Sequence, residues 1–125
     1  MKYVLIIFVL CFNVNLKGQN IVLNKNYSYT TVNERYALTL YVDSTYSYHY
    51  WNHLQLEISD SGRWTMHCDL LILNSIESSF INPHLKKKKR ETKTKIFNNS
   101  CFQILETRRI NYNRNGRNIL LTIHE

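Results

Sequence analysis

The sequence predicts an all-β protein, an antiparallel meander of seven or eight short strands that closes into a small barrel. Apolar and polar residues alternate along much of the chain, aromatic and β-branched residues dominate the alternating runs, and turn signals separate these runs at close spacing. The chain has one proline and three glycines, and helical periodicity is weak. A sandwich is the alternative architecture, but the connections are typical of successive hairpins, and closure would remove exposed strand edges.

Residues 1–19 are predicted to form an export signal ahead of a single domain at residues 20–125. Lys2 gives a basic start, Tyr3 to Phe12 form an apolar run, and the small Gly18 precedes the expected cleavage site. The run is too short to span a bilayer, which needs roughly 20 residues. A buried N-terminal strand is the alternative. The mature protein is expected to be unanchored, and periplasmic or secreted.

Two of the three cysteines, Cys68 and Cys101, remain in the predicted mature chain. In the oxidising compartment that export implies, they could form a disulfide bond. Two separate buried thiols are the alternative, because spacing in the sequence does not establish that two cysteines are close in space.

The clearest element is a hairpin early in the predicted domain. Residues 36–42 alternate, which places four apolar side chains on one face: Tyr36, Leu38, Leu40 and Val42. Asp43 to Thr45 form a turn signal, because Asp and Ser side chains hydrogen-bond to nearby backbone groups, and Tyr46 to Trp51 return as the second strand. The preceding segment, Asn20 to Asn33, is polar with weak alternation and is interpreted as a lead-in or an edge strand.

Two further strands are predicted in the middle of the chain. Asn52 to Asp60 form a longer connection or a bulged continuation of the strand, and Ser59 to Gly62, SDSG, are a turn signal. Arg63 to His67 form the third strand. Leu70 to Leu73 form the fourth, and they are apolar on both faces, which is typical of a central strand. Asn74 to Pro83 are predicted to be a loop.

The C-terminal part predicts the closing strands. Lys86 to Phe97 carry a charge run and then alternate, and Cys101 to Glu106 and Arg109 to Asn113 are further strands. Asn113 to Gly116 form a hairpin turn, since Asn and Gly accept positive φ at little cost. Asn118 to His124 close the chain, and three apolar residues share the inner face: Ile119, Leu121 and Ile123.

The order of three motifs carries a resemblance to a known group. YALTLYVDSTYSYHYW is followed by a spacer, then SDSGRW, then DLLILNS. This order, over Tyr36 to Ser75, resembles small exported, mostly uncharacterised proteins of Gram-negative bacteria that are described as lipocalin-like β-barrels. The resemblance implies that Asp43 and Gly62 lie in turns and that Trp64 lies in the core. It implies no catalytic residues, and the lipid-attachment cysteine and Cys-x-x-Cys pair of copper-resistance lipoproteins are absent.

The aromatic strand is the first candidate binding feature. Tyr46, Tyr48 and Tyr50 project to one side of the strand. With Trp64 inside the barrel, they could line a pocket for a small apolar ligand. The alternative is cross-strand packing, which the leucines expected on the neighbouring strand favour.

A basic run is the second candidate, in a chain of formal net charge +7. It consists of Lys86, Lys87, Lys88, Lys89 and Arg90. It could bind a polyanion such as lipopolysaccharide or an anionic membrane surface. The alternatives are a solvated loop and a lysine-protected edge strand. Nucleic acid is not expected, because the chain is predicted to be exported and no aromatic residue is interleaved with the run.

Neither a cofactor nor catalysis is predicted. The candidate metal ligands are His49, His53, His67 and Cys68, but they form no compact motif, and a site needs three or four convergent ligands. A G-x-S-x-G elbow, an H-E-x-x-H motif and a phosphate-binding glycine loop are all absent.

These observations predict an exported, non-catalytic binding protein, expected to be a monomer, that holds a small apolar ligand or contacts a cell-envelope partner. The alternative is a structural or interaction protein with a filled core, whose basic segment contacts anionic surfaces. The two hypotheses differ in whether the barrel encloses a cavity or is packed with side chains.

Overall fold

A computed structural model describes residues 21–82, 90–92 and 96–124, with the backbone alone for residues 90–92. Within this part of the chain all regular elements are strands: β1 (Asn26–Thr30), β2 (Glu34–Leu40), β3 (Thr45–Asn52), β4 (Glu57–His67), β5 (Leu70–Ile81), β6 (Arg90–Thr92), β7 (Ser100–Glu106), β8 (Arg109–Arg114) and β9 (Arg117–Ile123). Within the same residues, no helix has the length and apolar character needed to cross a membrane. The predicted export signal lies outside the described residues.

The strands form a closed antiparallel meander. The sheet order is β4-β3-β2-β1-β9-β8-β7-β5-β6, and β4 also pairs with β5. The ring is therefore β1 to β5 followed by β7, β8 and β9, closed where Tyr27 pairs with Ile123. The short β6 lies beside the end of β5, with Ile81 opposite Arg90. The all-β, small-barrel prediction is confirmed, and the geometry is consistent with a lipocalin-like barrel.

Alternation decides which residues face the interior, as the first hairpin shows. Three cross-strand pairs join buried side chains of β2 and β3: Leu40 with Tyr46, Leu38 with Tyr48, and Tyr36 with Tyr50. Such directly opposed pairs are the unit of sheet stabilisation. The predicted hairpin is confirmed, except that Val42 lies in the turn and is exposed.

The predicted turns at Asp43 and Gly116 are also confirmed. The backbone amide and the hydroxyl of Thr45 both donate to Asp43 Oδ1, at 3.1 and 2.5 Å, and these bonds lower the pKa of the exposed Asp43 carboxyl. Between β8 and β9, Asn115 and Gly116 have φ of 53° and 80°. Positive φ at both central residues is the geometry of a two-residue hairpin.

Two predictions for the middle of the chain were wrong. Ser59–Gly62 is not a turn but part of β4, and β5 does not end at Leu73 but continues to Ile81. The inward position of Asp60 is stabilised by hydroxyl groups from other strands. A Cβ on Gly62 would lie 1.9 Å from the backbone oxygen of Asn74. These polar and small residues are therefore required by the packing of β4 against β5, where the register shifts at Ser61 and Gly62.

The N-terminal segment is also better integrated than predicted. β1 pairs with both β2 and β9, so it is neither a lead-in nor an edge strand. Tyr27 is buried, accepts a hydrogen bond from the Val22 amide at 2.8 Å and donates to the Thr107 carbonyl at 2.6 Å. This tyrosine joins the segment before β1 to the β7–β8 connection.

Because strand directions alternate, the connections divide between two ends of the barrel. We call the upper end the one that carries residues 31–33, 53–56 and 115–116, together with the point where the chain leaves β5 and enters β6. The opposite end carries residues 41–44, 68–69 and 107–108.

Candidate functional site: the barrel interior and its upper end

The centre of the barrel is filled by Phe97. This residue lies between β6 and β7, and its side chain is 1% exposed. Its ring centroid lies 4.9 Å from that of Tyr48 and 5.4 Å from that of Phe102. The rings of Tyr112 and Tyr46 are 5.9 and 6.2 Å away. Edge-to-face contacts at these distances are the favoured geometry of packed aromatic rings.

Two hydrogen bonds of opposite direction hold the backbone of Phe97 to Ser75. The Phe97 amide donates to Ser75 Oγ at 2.8 Å, and the Ser75 amide donates to the Phe97 carbonyl at 2.9 Å. Two residues on, the Asn99 amide donates to Asn74 Oδ1 at 2.8 Å. The segment that carries the ring is thus fixed to β5 where no regular strand pairing is present.

A buried carboxylate organises this attachment. Asp60 Oδ2 accepts hydrogen bonds from the Tyr46 hydroxyl at 2.6 Å and from Ser75 Oγ at 2.8 Å, while Oδ1 accepts from Ser78 Oγ. Burial, reinforced by the hydrogen bond to Asp60, holds the pKa of Tyr46 well above its usual range. Within the described chain no buried side-chain polar atom lacks a partner, so the group is satisfied and serves to position residues around it.

The four residues predicted to bind an apolar ligand do not surround one empty site. Tyr46 and Tyr48 pack against Phe97. Tyr50 lies at the upper end. Trp64 is half-buried near the opposite end, where its Nε1 donates to the Tyr41 carbonyl at 3.0 Å. The predicted inward orientation of the tyrosines is correct, whereas their role in binding stays a prediction.

An open cleft lies at the upper end, around Arg114. The Nη1 of Arg114 donates to the Tyr36 hydroxyl at 3.0 Å, and its guanidinium carbon lies 4.4 Å from the centroid of the Tyr50 ring. The cleft has a volume of about 300 Å³, and its lining is Glu34, Tyr36, Tyr50, Arg114, Asn115 and Arg117. We call it the Arg114 cleft.

An ion pair forms one wall of the Arg114 cleft. Arg117 Nη2 lies 2.9 Å from Glu34 Oε2, and the Tyr50 hydroxyl donates to Glu34 Oε1 at 3.2 Å. On the other side of this pair is a second cleft of about 450 Å³, which His53 and Asn52 also line. The paired residues therefore separate two polar depressions at one end of the barrel.

Sequence reasoning missed both Asp60 and Arg114. The alternation along β4 was the available signal for Asp60, because every second residue faces the same side and Asp60 shares that side with Gly62 and Trp64. Arg114 offered no local signal, because Tyr36, which orients it, is 78 residues away in the chain.

Most of the predicted basic run lies outside the described residues. Lys86, Lys87, Lys88 and Lys89 lie outside the described residues, and only the backbone of Arg90 is described. Arg90, where β6 begins, pairs with Ile81, the last residue of β5, at the upper end.

The histidine and cysteine candidates are dispersed. His49 lies on the outer face of β3, His53 lies in a turn, and His67 ends β4. Among the described residues no three His, Cys, Asp or Glu side chains form a group suited to a metal ion. Cys101 is an exposed free thiol, so it is not joined to Cys68 by a disulfide bond.

Comparison with protein-family models, curated proteins and solved structures gave no match. The resemblance to exported lipocalin-like proteins therefore stays a prediction.

Proposed function

We propose that this protein is an exported, non-catalytic binding protein whose solid barrel presents a basic end to an anionic partner of the cell envelope. The observation that carries the proposal is the filled interior, because the Phe97 ring occupies the centre of the barrel. Pockets that enclose a small molecule measure roughly 300–1,000 Å³. A barrel whose centre is packed with side chains is better suited to act through its outer surface.

Basic residues from distant parts of the chain support an anionic partner. Arg114 and Arg117 flank the β8–β9 turn at the upper end. Arg90, the last residue of the basic run in the sequence, pairs with Ile81 at the same end. Lysine and arginine close to an anionic membrane each contribute about 1 kcal/mol of attraction, which salt screens. The predicted export signal and the resemblance to exported barrels point to an anionic surface of the cell envelope.

The apolar-ligand hypothesis has less support, and native mass spectrometry distinguishes it. Protein purified from its own cell envelope is expected to carry no small molecule. Its mass is expected to correspond to a chain that starts near Gln19 or Asn20. A co-purifying apolar compound would favour the carrier hypothesis, and a chain that keeps residues 1–19 would refute the export signal.

Co-sedimentation with lipid vesicles tests the basic end. Vesicles that contain phosphatidylglycerol should bind the protein at low salt, while phosphatidylcholine vesicles and high salt should abolish binding. Replacing Lys87 and Lys88 together with glutamine should weaken binding. The matched control replaces Arg108 and Arg109, at the opposite end, and should bind as the wild type does. Equal binding by both variants and the wild type would refute the proposal.

A further inference from the structure

The Arg114 cleft has the features of a binding site for a small oxyanion, and such binding does not require a membrane. We propose that it binds the carboxylate or phosphate group of a small molecule. The proposal depends on the charge of Arg114, on how firmly the guanidinium is held and on the size of the cleft.

Arg114 brings a positive charge that no described carboxylate neutralises. Glu34, the acidic residue of the cleft, forms its ion pair with Arg117 at 2.9 Å and accepts from the Tyr50 hydroxyl. The cleft contains Arg114, Arg117 and Glu34, so its lining carries one net positive charge. An anion that enters the cleft would find a cation already present and partly removed from solvent.

The guanidinium of Arg114 is held in place before any ligand arrives. The Tyr36 hydroxyl accepts one of its N–H groups, and the face of the Tyr50 ring supports its plane. Arg114 is the last residue of β8, beside the two-residue turn that fixes the backbone. A guanidinium held in this way loses little side-chain entropy on binding, and its planar fork matches the two oxygens of a carboxylate or a phosphate.

The volume and lining of the cleft indicate a small ligand. About 300 Å³ lies at the lower end of the range for small-molecule pockets. The Tyr36 hydroxyl accepts from Arg114 at 3.0 Å and so orients the guanidinium toward the cleft. The rings of Tyr36 and Tyr50 are 1% and 4% exposed, so they support Arg114 from below and leave the charged group of the ligand as the part that is recognised.

Titration followed by amide NMR tests the site with inorganic phosphate and with acetate as separate probes, at constant ionic strength adjusted with sodium chloride. Either probe, or both, should shift the Asn115 and Gly116 amides in a saturable manner. The probe that binds more tightly identifies the oxyanion class. If neither probe gives more than the linear drift seen with chloride, the proposal is overturned.

Three variants locate the site. Arg114→Gln should reduce affinity about tenfold or more, because hydrogen bonds to a charged group are lost. Arg114→Lys keeps the charge but not the fork, and should bind with intermediate affinity. Arg63→Gln removes an exposed arginine of β4 and should bind like the wild type.

Thermal unfolding of each variant shows whether it is folded. If Arg114→Gln does not fold, the comparison of Arg114→Lys with the wild type decides, and equal affinity of these two proteins overturns the proposal. Equal losses for Arg114→Gln and Arg63→Gln would also overturn it. Vesicles are absent from these measurements, so a failure here leaves the proposed membrane contact unaffected, and the reverse is also true.

Discussion

Replacing Phe97 with alanine should leave a cavity at the centre of the barrel and lower the free energy of unfolding. The side chain is 1% exposed, and four aromatic rings surround it at centroid distances of 4.9 to 6.2 Å. Buried Phe to Ala substitutions cost about 3–5 kcal/mol. The backbone of Phe97 is bonded to Ser75 in both directions, so it cannot easily move inward to fill the void. We therefore expect the free energy of unfolding to fall by no less than the middle of that range, about 4 kcal/mol.

Urea denaturation followed by fluorescence measures this loss. With an m-value of about 2 kcal/mol/M, the midpoint should fall by about 2 M. The control is Ile96→Ala. The neighbouring Ile96 side chain is 37% exposed, so its truncation should cost about 1 kcal/mol or less. A Phe97→Ala variant that loses less than about 1 kcal/mol would refute the assignment of Phe97 to the centre of the core.

The same variant makes a second measurement available. An apolar cavity left by a deleted core side chain stays dry and admits molecules of the size of benzene. Phe97→Ala should therefore gain measurable affinity for benzene or indole, whereas the wild type should show none. Binding of these probes by the wild type would contradict the filled interior.

The remaining predictions concern β4 and the buried tyrosines. Gly62→Ala places a Cβ 1.9 Å from the Asn74 backbone oxygen, so it should destabilise the protein by about 1–3 kcal/mol or more in urea denaturation. The control is Ser61→Ala, on the exposed face of β4. Equal stability of the two variants would contradict the close approach of β4 and β5. Burial raises the pKa of Tyr46 and of Tyr48. A group whose pKa is raised by folding stabilises the folded state fully below its unfolded pKa, about 10 for tyrosine, and that stability is lost as pH rises further. Stability should therefore fall steadily above about pH 10, and absorbance at 295 nm should show a class of tyrosines that ionises only as the protein unfolds. Tyr48→Phe should make the fall less steep, and ionisation of all tyrosines without unfolding would contradict the burial.

Five predicted strands match the structure, and their inward residues are mainly apolar: β2, β3, β7, β8 and β9. β2, β3 and β9 alternate strongly, and their inner faces are buried as expected. Their turns were recognisable because the residues that form them act locally, as Asp43 does on Thr45. Alternation and turn chemistry both depend on residues that are close in the sequence, so they can be recognised from a single sequence.

Two of the failures occur where a polar residue faces inward. SDSG is typical of a turn, yet Asp60 points into the barrel because hydroxyls from β3 and β5 meet it there. Likewise, β5 extends past Leu73 because Ser75 and Ser78 are inward residues of the same network. Local propensity gives no information about partners that lie 14 to 18 residues away. For the same reason Arg114 could not be singled out before its contacts with Tyr36 and Tyr50 were known.

The polar network around Asp60 and the aromatic centre around Phe97 depend on each other structurally. A buried carboxylate is costly unless its oxygens accept hydrogen bonds, and Asp60 accepts them from the hydroxyls of Tyr46, Ser75 and Ser78. Ser75 in turn accepts the Phe97 amide, so the position of the carboxylate determines the position of the ring that fills the barrel. Without this residue, only side chains from the strands would be available to fill the centre of the barrel. Here Phe97, a residue from outside the regular strand pairing, completes the core.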